Sequence, residues 1–391
     1  MTKVVPTARD RDVWRAQVAV AATFFVHGLL FASWVAHIPH IKSHLSIGNP
    51  TLGTALLGTP LGSVSAMAVA AYLIPRFGSR RVVQVCLVGY CLAGPFVGLV
   101  STVAGLFVAL FVWGAFQGVL DISMNTQAIA VERARHRPLM NGMHAGWSIG
   151  AFAGAGIGTL GVALGVTLSR QLLVTGTIAL LISGWLSTRM LLDAADGETT
   201  RPAGSGRRVS GSMLLLGAVA FASMLCEGAA ADWSAVYLRE SLGSGIAISG
   251  LGYTAFALSM VAVRLFGNRL LVRHRADVLL PAFALITTAV FAVALLVPSV
   301  PAGLAAFFVL GAGVGIVVPT AFSAAGRLPG MHPGVSVAAV SGMGWAGFVC
   351  GPPLIGHLAG ITSLPFALGL VPVLTAFIAL ATRRVTALRG G

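Results

Sequence analysis

The sequence predicts an all-α, polytopic membrane protein in which twelve transmembrane helices form two pseudo-symmetric halves of six. Three observations predict it: an apolar composition, twelve separate apolar segments of spanning length, and an internal repeat offset by about half the chain. Of 391 residues, 57% are hydrophobic and 9% charged, with a mean hydropathy of +0.90; an average soluble domain is about 25% charged. A soluble globule of this size is excluded. The 49 glycines follow no collagen period and suit helices packed closely in lipid, where small residues let backbones approach. Cys86, Cys91, Cys226 and Cys350 all lie in apolar runs, a spacing that indicates neither a disulfide framework nor a zinc motif.

A spanning helix needs about 20 mostly apolar residues. Such segments begin near Gln17, Pro50, Val82, Gly105, Gly142, Leu168, Ser212, Ala247, Asp277, Ala302, Val335 and Thr362. The first runs from Gln17 to Ile38 behind a basic tail (Lys3, Arg9, Arg11, Arg15). It is longer than a signal-peptide core, so it reads as a retained span with no cleavage expected. Basic turns then separate the second span from the third (Arg76, Arg80, Arg81), the fourth from the fifth (Arg133, Arg135, Arg137), the eighth from the ninth (Arg269, Arg273, Arg275) and the tenth from the eleventh (Arg327). The longest hydrophilic stretch, rich in Gly, Thr, Ser and Arg, follows the sixth span at mid-chain. The expected organisation is a tail (1–16), a six-helix half (17–192), a linker (193–211), a second six-helix half (212–384) and a short tail (385–391).

Charge orients these segments. With the N-terminus inside, 21 of the 25 Lys and Arg fall on inside segments and only Lys42, Arg170 and Arg239 on outside ones, with Arg264 left within the eighth span. This asymmetry is the positive-inside pattern and predicts both termini in the cytoplasm, most simply of a bacterial cytoplasmic membrane. The net charge of +14 is thereby explained by topology, and so apolar a chain leaves no basic groove for nucleic acid.

Sliding the chain on itself by about 197 to 200 residues brings His27-Gly28 and Trp34 onto Glu227-Gly228 and Trp233. The same offset brings Leu73-Ile74-Pro75-Arg76 onto Leu270-Leu271-Val272-Arg273, and Gly146-Trp147 with Gly158 onto Gly344-Trp345 with Gly356. An even number of spans per half keeps the halves in one orientation. This is a parallel repeat, for which a site between the halves near the midplane is expected.

An ionisable side chain at bilayer depth costs about 2.5–3.5 kcal/mol on insertion scales, so each is a functional candidate. Gln117, Asp121 and Asn125 recur at i, i+4 and i+8 in the fourth span and form one polar stripe. Asp121 suits a group that loads and releases a proton, its structural alternative being a hydrogen bond to a neighbouring helix. Glu227 in the seventh span is the second candidate for proton coupling; Asp232, five residues on, lies nearer the interface and water. His27 has two readings, as a substrate or proton partner and as a packed histidine. Trp34, Trp147 and Trp345 offer indoles that stack on a substrate and donate one hydrogen bond, with interface anchoring as the alternative. Arg264 reads as structural, by snorkelling or by pairing with an acid. His37, His40 and His44 have spacing open to a metal, but Pro39 and the lack of a nearby carboxylate argue against one. Gly311, Gly313, Gly315 and Pro319, like Gly351-Pro352-Pro353, lack the strand and lysine of a nucleotide loop and read as packing and bending elements.

The turn Ala71-Tyr72-Leu73-Ile74-Pro75-Arg76-Phe77-Gly78-Ser79-Arg80-Arg81 resembles the G-x-L-x-D-R-x-G-R-R motif of the Major Facilitator Superfamily. Leu73, Arg76, Gly78 and Arg80 match it, while Ala71 and Pro75 stand for its Gly and Asp. Gln117-Gly118 is similar to the end of the family's R-x-x-Q-G motif, with Gly114 in place of the Arg. Gly146, Gly150, Ala151 and Gly154 resemble an exporter-associated G-x-x-x-G-P motif without its Pro. Within the superfamily, Asp121-Ile122-Ser123-Met124-Asn125 and Glu227-Gly228 with Asp232-Trp233 look most like the MosC-like branch, associated with rhizopines and other small polar compounds. The resemblance implies the twelve-helix fold, alternating access, and a gating role for Arg76, Gly78 and Arg80, although Pro75 removes the carboxylate that latches this loop.

No ATP-binding cassette, H-E-x-x-H or G-x-S-x-G motif is present, and the soluble segments are too short for a catalytic domain. The expected function is therefore not enzymatic. It is secondary active transport of a small polar solute such as a sugar, polyol or cyclitol, coupled to protons. Gln117, Asn125, His27, Trp34, Trp147 and Trp345 would bind the solute, without cofactor or metal; protons and membrane lipid are the other partners, and one chain suffices. A proton-coupled exporter of drugs or metabolites is the alternative, and a non-transporting membrane sensor a third class.

Overall fold

The computed structural model describes residues 8–137, 139–192, 210–273, 276–328 and 333–384, the side chains of 8–10, 141, 267–273, 333 and 334 excepted. Most of the expected linker, the first seven residues of the expected N-terminal tail and all of the expected C-terminal tail lie outside the described residues, as does Arg275. All described secondary structure is helical. In order it comprises α1 (Ala8–Ser33), a 3-10 turn (Val35–His37), α2 (Ile38–His44), α3 (Asn49–Leu56), α4 (Gly58–Phe77), α5 (Ser79–Val97), α6 (Val103–Arg135), α7 (Met140–Ala163) and α8 (Leu168–Ser187). After the linker come α9 (Gly211–Val236), a π turn (Tyr237–Ser241), α10 (Ile246–Arg273), α11 (Ala276–Leu296), α12 (Val300–Val314), α13 (Val317–Ala325), α14 (Pro333–Ile361), α15 (Leu364–Leu368) and α16 (Leu370–Arg384).

Among the described residues, eleven helical stretches are long and apolar enough to cross a membrane. The remaining expected span, α8, is a 20-residue helix whose apolar character is diluted by Ser169, Arg170 and Gln171 in its first turn. Sequence and structure differ where spans are interrupted. The first, second and tenth spans break at the 3-10 turn, at Leu57 and at Gly315–Ile316. Each break lies two to four residues before a proline: Pro39, Pro60 and Pro319. Proline has no N–H for the carbonyl four residues earlier and its ring crowds that carbonyl, so the helix parts there.

The chain forms two compact units: Met1–Trp34 with Gly58–Gly197, and Val35–Leu57 with Glu198–Gly391. In the first, α1 packs along α7, α4 and α5 along α6, and α8 against α5 and α1. In the second, α9 packs along α14, α10 and α11 along α12, and α16 against α11 and α9. One packing scheme thus recurs at the offset of the sequence repeat. The second unit also takes in α2 and α3: α3 lies along α14, and the Lys42–Glu240 ion pair ties α2 to the π turn.

Close approach of α1 and α7 is what the glycine line of α7 provides. A methyl at Gly150, Gly154 or Gly158 would strike the carbonyls of Phe25, Leu29 and Ser33, one per turn of α1. Inside the first unit Phe24, Tyr90, Leu106 and Trp113 are buried, and inside the second Leu216, Val317, Val340 and Ile378. Val85, Phe96, Leu181, Ile286 and Phe366 instead face outward, as a surface bathed in lipid tails requires.

Gly154→Leu is expected to lower the melting temperature of the detergent-purified protein sharply. Gly156→Leu, where a side chain meets open space, should stay within the ±0.5 kcal/mol of an ordinary surface change; equal losses in the two variants would contradict the helix contact.

Candidate functional site

In the first unit Gln117, Asp121 and Asn125 lie on one face of α6, rising about 6 Å between successive members. Asn125 Nδ2 donates to the Asp121 carbonyl (2.8 Å) and to the Asp121 carboxylate (3.3 Å). Asp121 and Asn125 are half-buried. Gln117 is buried, and its Oε1 has no hydrogen-bond partner. Asp121 has no cationic partner among the described residues.

His27 on α1 lies beside this stripe. Trp147 Nε1 donates to its Nδ1 at 2.7 Å. An indole nitrogen only donates, so Nδ1 must accept; the proton of the neutral ring then sits on Nε2 and points at the Gln117 carbonyl, 3.3 Å away. Both ring nitrogens are committed within the protein. Tyr90 stacks on His27 with centroids 5.6 Å apart, Trp113 stacks on Tyr90 at 5.3 Å and donates Nε1 to its carbonyl at 3.1 Å, and Trp34 meets Trp113 edge-on at 6.1 Å. Trp34 is therefore part of a buried aromatic column, whereas Trp147 is half-buried, its indole fixed by His27 and Phe31. Tyr90 and Trp113 escape a search for ionisable groups, because aromatic residues in mid-span read as ordinary apolar filling.

In the second unit Glu227 of α9 faces Arg264 of α10, with Oε2 and Nη2 3.9 Å apart and both side chains less than one-fifth exposed. Arg264 Nε also donates to the Gly315 carbonyl at 3.1 Å. That carbonyl is the one Pro319 leaves without a helical partner, so the arginine closes the break in the tenth span while facing an acid. Arg264 thus pairs with an acid, one of the two structural readings open to it. Tyr253, buried on α10, lies within electrostatic reach of Glu227, Asp232 and Arg264. Trp345 of α14 is half-buried against Phe348, with centroids 6.0 Å apart.

The basic turn holds Arg76, Gly78 and Arg80 at the end of the first unit, apart from the α6 stripe. Gly78 has φ +79°, a conformation that glycine adopts without a Cβ penalty. Arg76 donates to the Tyr72 hydroxyl at 2.6 Å, and Arg80 to the Met190 carbonyl at 3.4 Å. Where the motif's carboxylate is missing, Gln127 Nε2 donates to Ser79 Oγ (2.8 Å) and the Leu191 carbonyl (3.0 Å), tying α6, α5 and the end of α8 by uncharged hydrogen bonds.

Residues 19–333 match the family model of the Major Facilitator Superfamily. The chain belongs to that superfamily. It is 32% identical over 378 residues to an uncharacterized MFS-type transporter of Yersinia pestis, covering 95% of this chain and 96% of the relative. It is 33% identical over 352 residues to the membrane protein MosC of Rhizobium meliloti, covering 90% and 85%, in line with the branch its motifs resemble. A crystal structure of a mutant of the nucleoside transporter NupG shares the fold with a TM-score of 0.75 and 12% identity, over 95% of this chain and all of that one. As an MFS member it is a multi-pass membrane protein of a secondary-transporter family.

Breaking a buried ion pair strands a charge, at a cost of about 3 kcal/mol or more, while removing both partners is far milder. Arg264→Met and Glu227→Gln should each lower the melting temperature of the purified protein, and the double variant should recover most of the loss. Strictly additive losses would contradict the pairing.

Proposed function

We propose that this MFS member carries a small polar solute, sugar-, polyol- or cyclitol-like, across a bacterial cytoplasmic membrane by alternating access, driven by protons through Asp121 and Glu227. The observation that carries this reading is the α6 stripe: a mid-span carboxylate flanked by two amides, with no cation to neutralise it among the described residues. In hydrocarbon such a carboxylate is held at a cost unless its charge is cancelled, and a proton cancels it reversibly as access alternates. Gln117 and Asn125 bind the solute's polar groups, and the Trp147 indole, held by His27, supplies an apolar face of the kind that polar ligands stack on. His27 acts through Trp147 as a positioning residue. Trp345 adds a second indole, Trp34 supports the aromatic column from within, and the turn carrying Arg76, Gly78 and Arg80 serves as a gating element.

Glu227 couples through Arg264: its charge decides how firmly the guanidinium is held at the break in the tenth span. Both termini are cytoplasmic in this reading, as the distribution of basic residues requires. Packing against α1 accounts for the glycine line of α7 that resembles an exporter motif, which favours the polar-solute reading over the exporter one.

In proteoliposomes with an imposed proton gradient, Asp121→Asn is expected to abolish uphill accumulation while leaving solute counterflow within about twofold of wild type, since an exchange cycle needs no net proton transfer. Unchanged uphill uptake would remove Asp121 from coupling. Energised everted vesicles give the direction, and extrusion of lipophilic cations in place of polar-solute movement would favour the exporter.

A further inference from the structure

At the basic end of the first unit, two arginines stand at the feet of two apolar stripes that face outward. On α5 the exposed face runs Arg81, Val85, Val88, Leu92, at helical spacing. On α8 it runs Ile178, Leu181, Trp185, and Arg189 follows in the turn just after the helix. The two helices run antiparallel in close contact along their length. A methyl at Gly98 would strike Ser169 at one end, Gly176 faces the Cys91 carbonyl midway, and Arg80 donates to the Met190 carbonyl (3.4 Å) at the basic end. The stripes therefore lie on neighbouring helices, and Arg81 and Arg189, each one residue from that last tie, share its corner.

Both arginines are exposed, and neither has an acid within ion-pair distance among the described residues. The described carboxylates of this unit are engaged elsewhere: Asp12 beside Arg15, Asp121 in mid-span with Asn125, and Glu132 on the backbone N–H groups of Leu139 and Met140. Arg189 is also placed. Its guanidinium lies over the Trp185 ring, 4.1 Å from the centroid, a contact that holds the cation at the edge of the apolar stripe.

We infer that Arg81 and Arg189 form a headgroup site for an anionic phospholipid of the phosphatidylglycerol kind, whose acyl chains lie along the α5 and α8 stripes. Guanidinium forks match phosphate oxygens in geometry as well as charge, and basic pockets between membrane helices are where anionic headgroups bind. Two cations without an acid complement a net negative headgroup, whereas the ammonium of a zwitterionic lipid would bring a further cation to the same corner. Free phosphate meets the arginines but leaves the stripes uncovered. In the topology proposed above this end faces the cytoplasm. The bound lipid ties the feet of α5 and α8 from outside, as Gln127 ties the same corner from within. Neither the identity of the solute nor proton coupling enters this inference.

The test is native mass spectrometry of the detergent-purified full chain, titrated with phosphatidylglycerol and phosphatidylcholine of identical acyl chains. The wild type is expected to bind phosphatidylglycerol at least about tenfold more tightly, and to gain melting temperature from it. Arg81→Gln and Arg189→Gln should each weaken that lipid by about fivefold, and the double variant by about 30-fold, while phosphatidylcholine binding stays unchanged. Should the double variant fail to fold, the single losses decide. Arg170→Gln, which removes the same charge at the other end of α8, should leave binding as in wild type. Equal affinity for the two lipids, a preference that survives in the arginine variants, or an equal loss in Arg170→Gln would each overturn the inference. So would glycerol phosphate competing as an equal, since the corner would then be a site for free phosphate.

Discussion

The structure depends throughout on one constraint: in hydrocarbon no water is at hand, so each backbone N–H and C=O must find its partner within the protein. Helices meet that demand by themselves, and every described element is a helix or helical turn. Where a proline interrupts a span, a carbonyl is released and something must answer it. At Pro319 the answer is Arg264, which brings a cation into the second unit and faces Glu227 with it. Backbone repair and a charged pair thus share one side chain. The same economy operates in the first unit, where His27 accepts a hydrogen bond from the Trp147 indole N–H on one nitrogen and donates one to the Gln117 carbonyl from the other.

Much of this was legible in the sequence, for physical reasons. Spans are long apolar runs, and every start but the first agrees with a helix within three residues because charge and Pro/Gly clusters mark where hydrocarbon ends; the first helix begins at Ala8, nine residues before Gln17, because its charged opening turns continue the same helix. The Gln117, Asp121 and Asn125 stripe follows from helical spacing alone. What stayed hidden was set by contacts between elements. The pairing of Arg264 with both Glu227 and Gly315 joins residues from three spans, and no local pattern announces it. Tyr90 and Trp113 lie on two helices and become a column only when those helices meet. Breaks in the first, second and tenth spans were signalled by Pro39, Pro60 and Pro319, yet Pro352 and Pro353 lie within α14 without one, so the signal needs the tertiary setting to be read.

Departures from the family's motifs acquire a structural meaning. Pro75 removes the acid of the basic-turn motif, and neutral hydrogen bonds from Gln127 to Ser79 and Leu191 hold the same corner. A corner closed this way is less sensitive to salt than one latched by exposed charge, because screening acts on charges. Gly114, standing where the R-x-x-Q-G motif has Arg, is pressed against the α4 backbone at Thr59, a place with no room for a long side chain. The glycine line of α7 likewise serves contact with α1. The two carboxylates read as coupling groups thereby lie one in each unit, Asp121 in the α6 stripe and Glu227 in its pair with Arg264.

The account's central claim is that solute and proton move together. Its most direct measurement is the internal pH of lightly buffered proteoliposomes, followed with a trapped fluorescent indicator, after a binding polyol is added at zero membrane potential and no initial pH gradient. The account predicts a pH change that starts with the solute and scales with its transported amount. Solute entry at the same rate with the internal pH unmoved would contradict it.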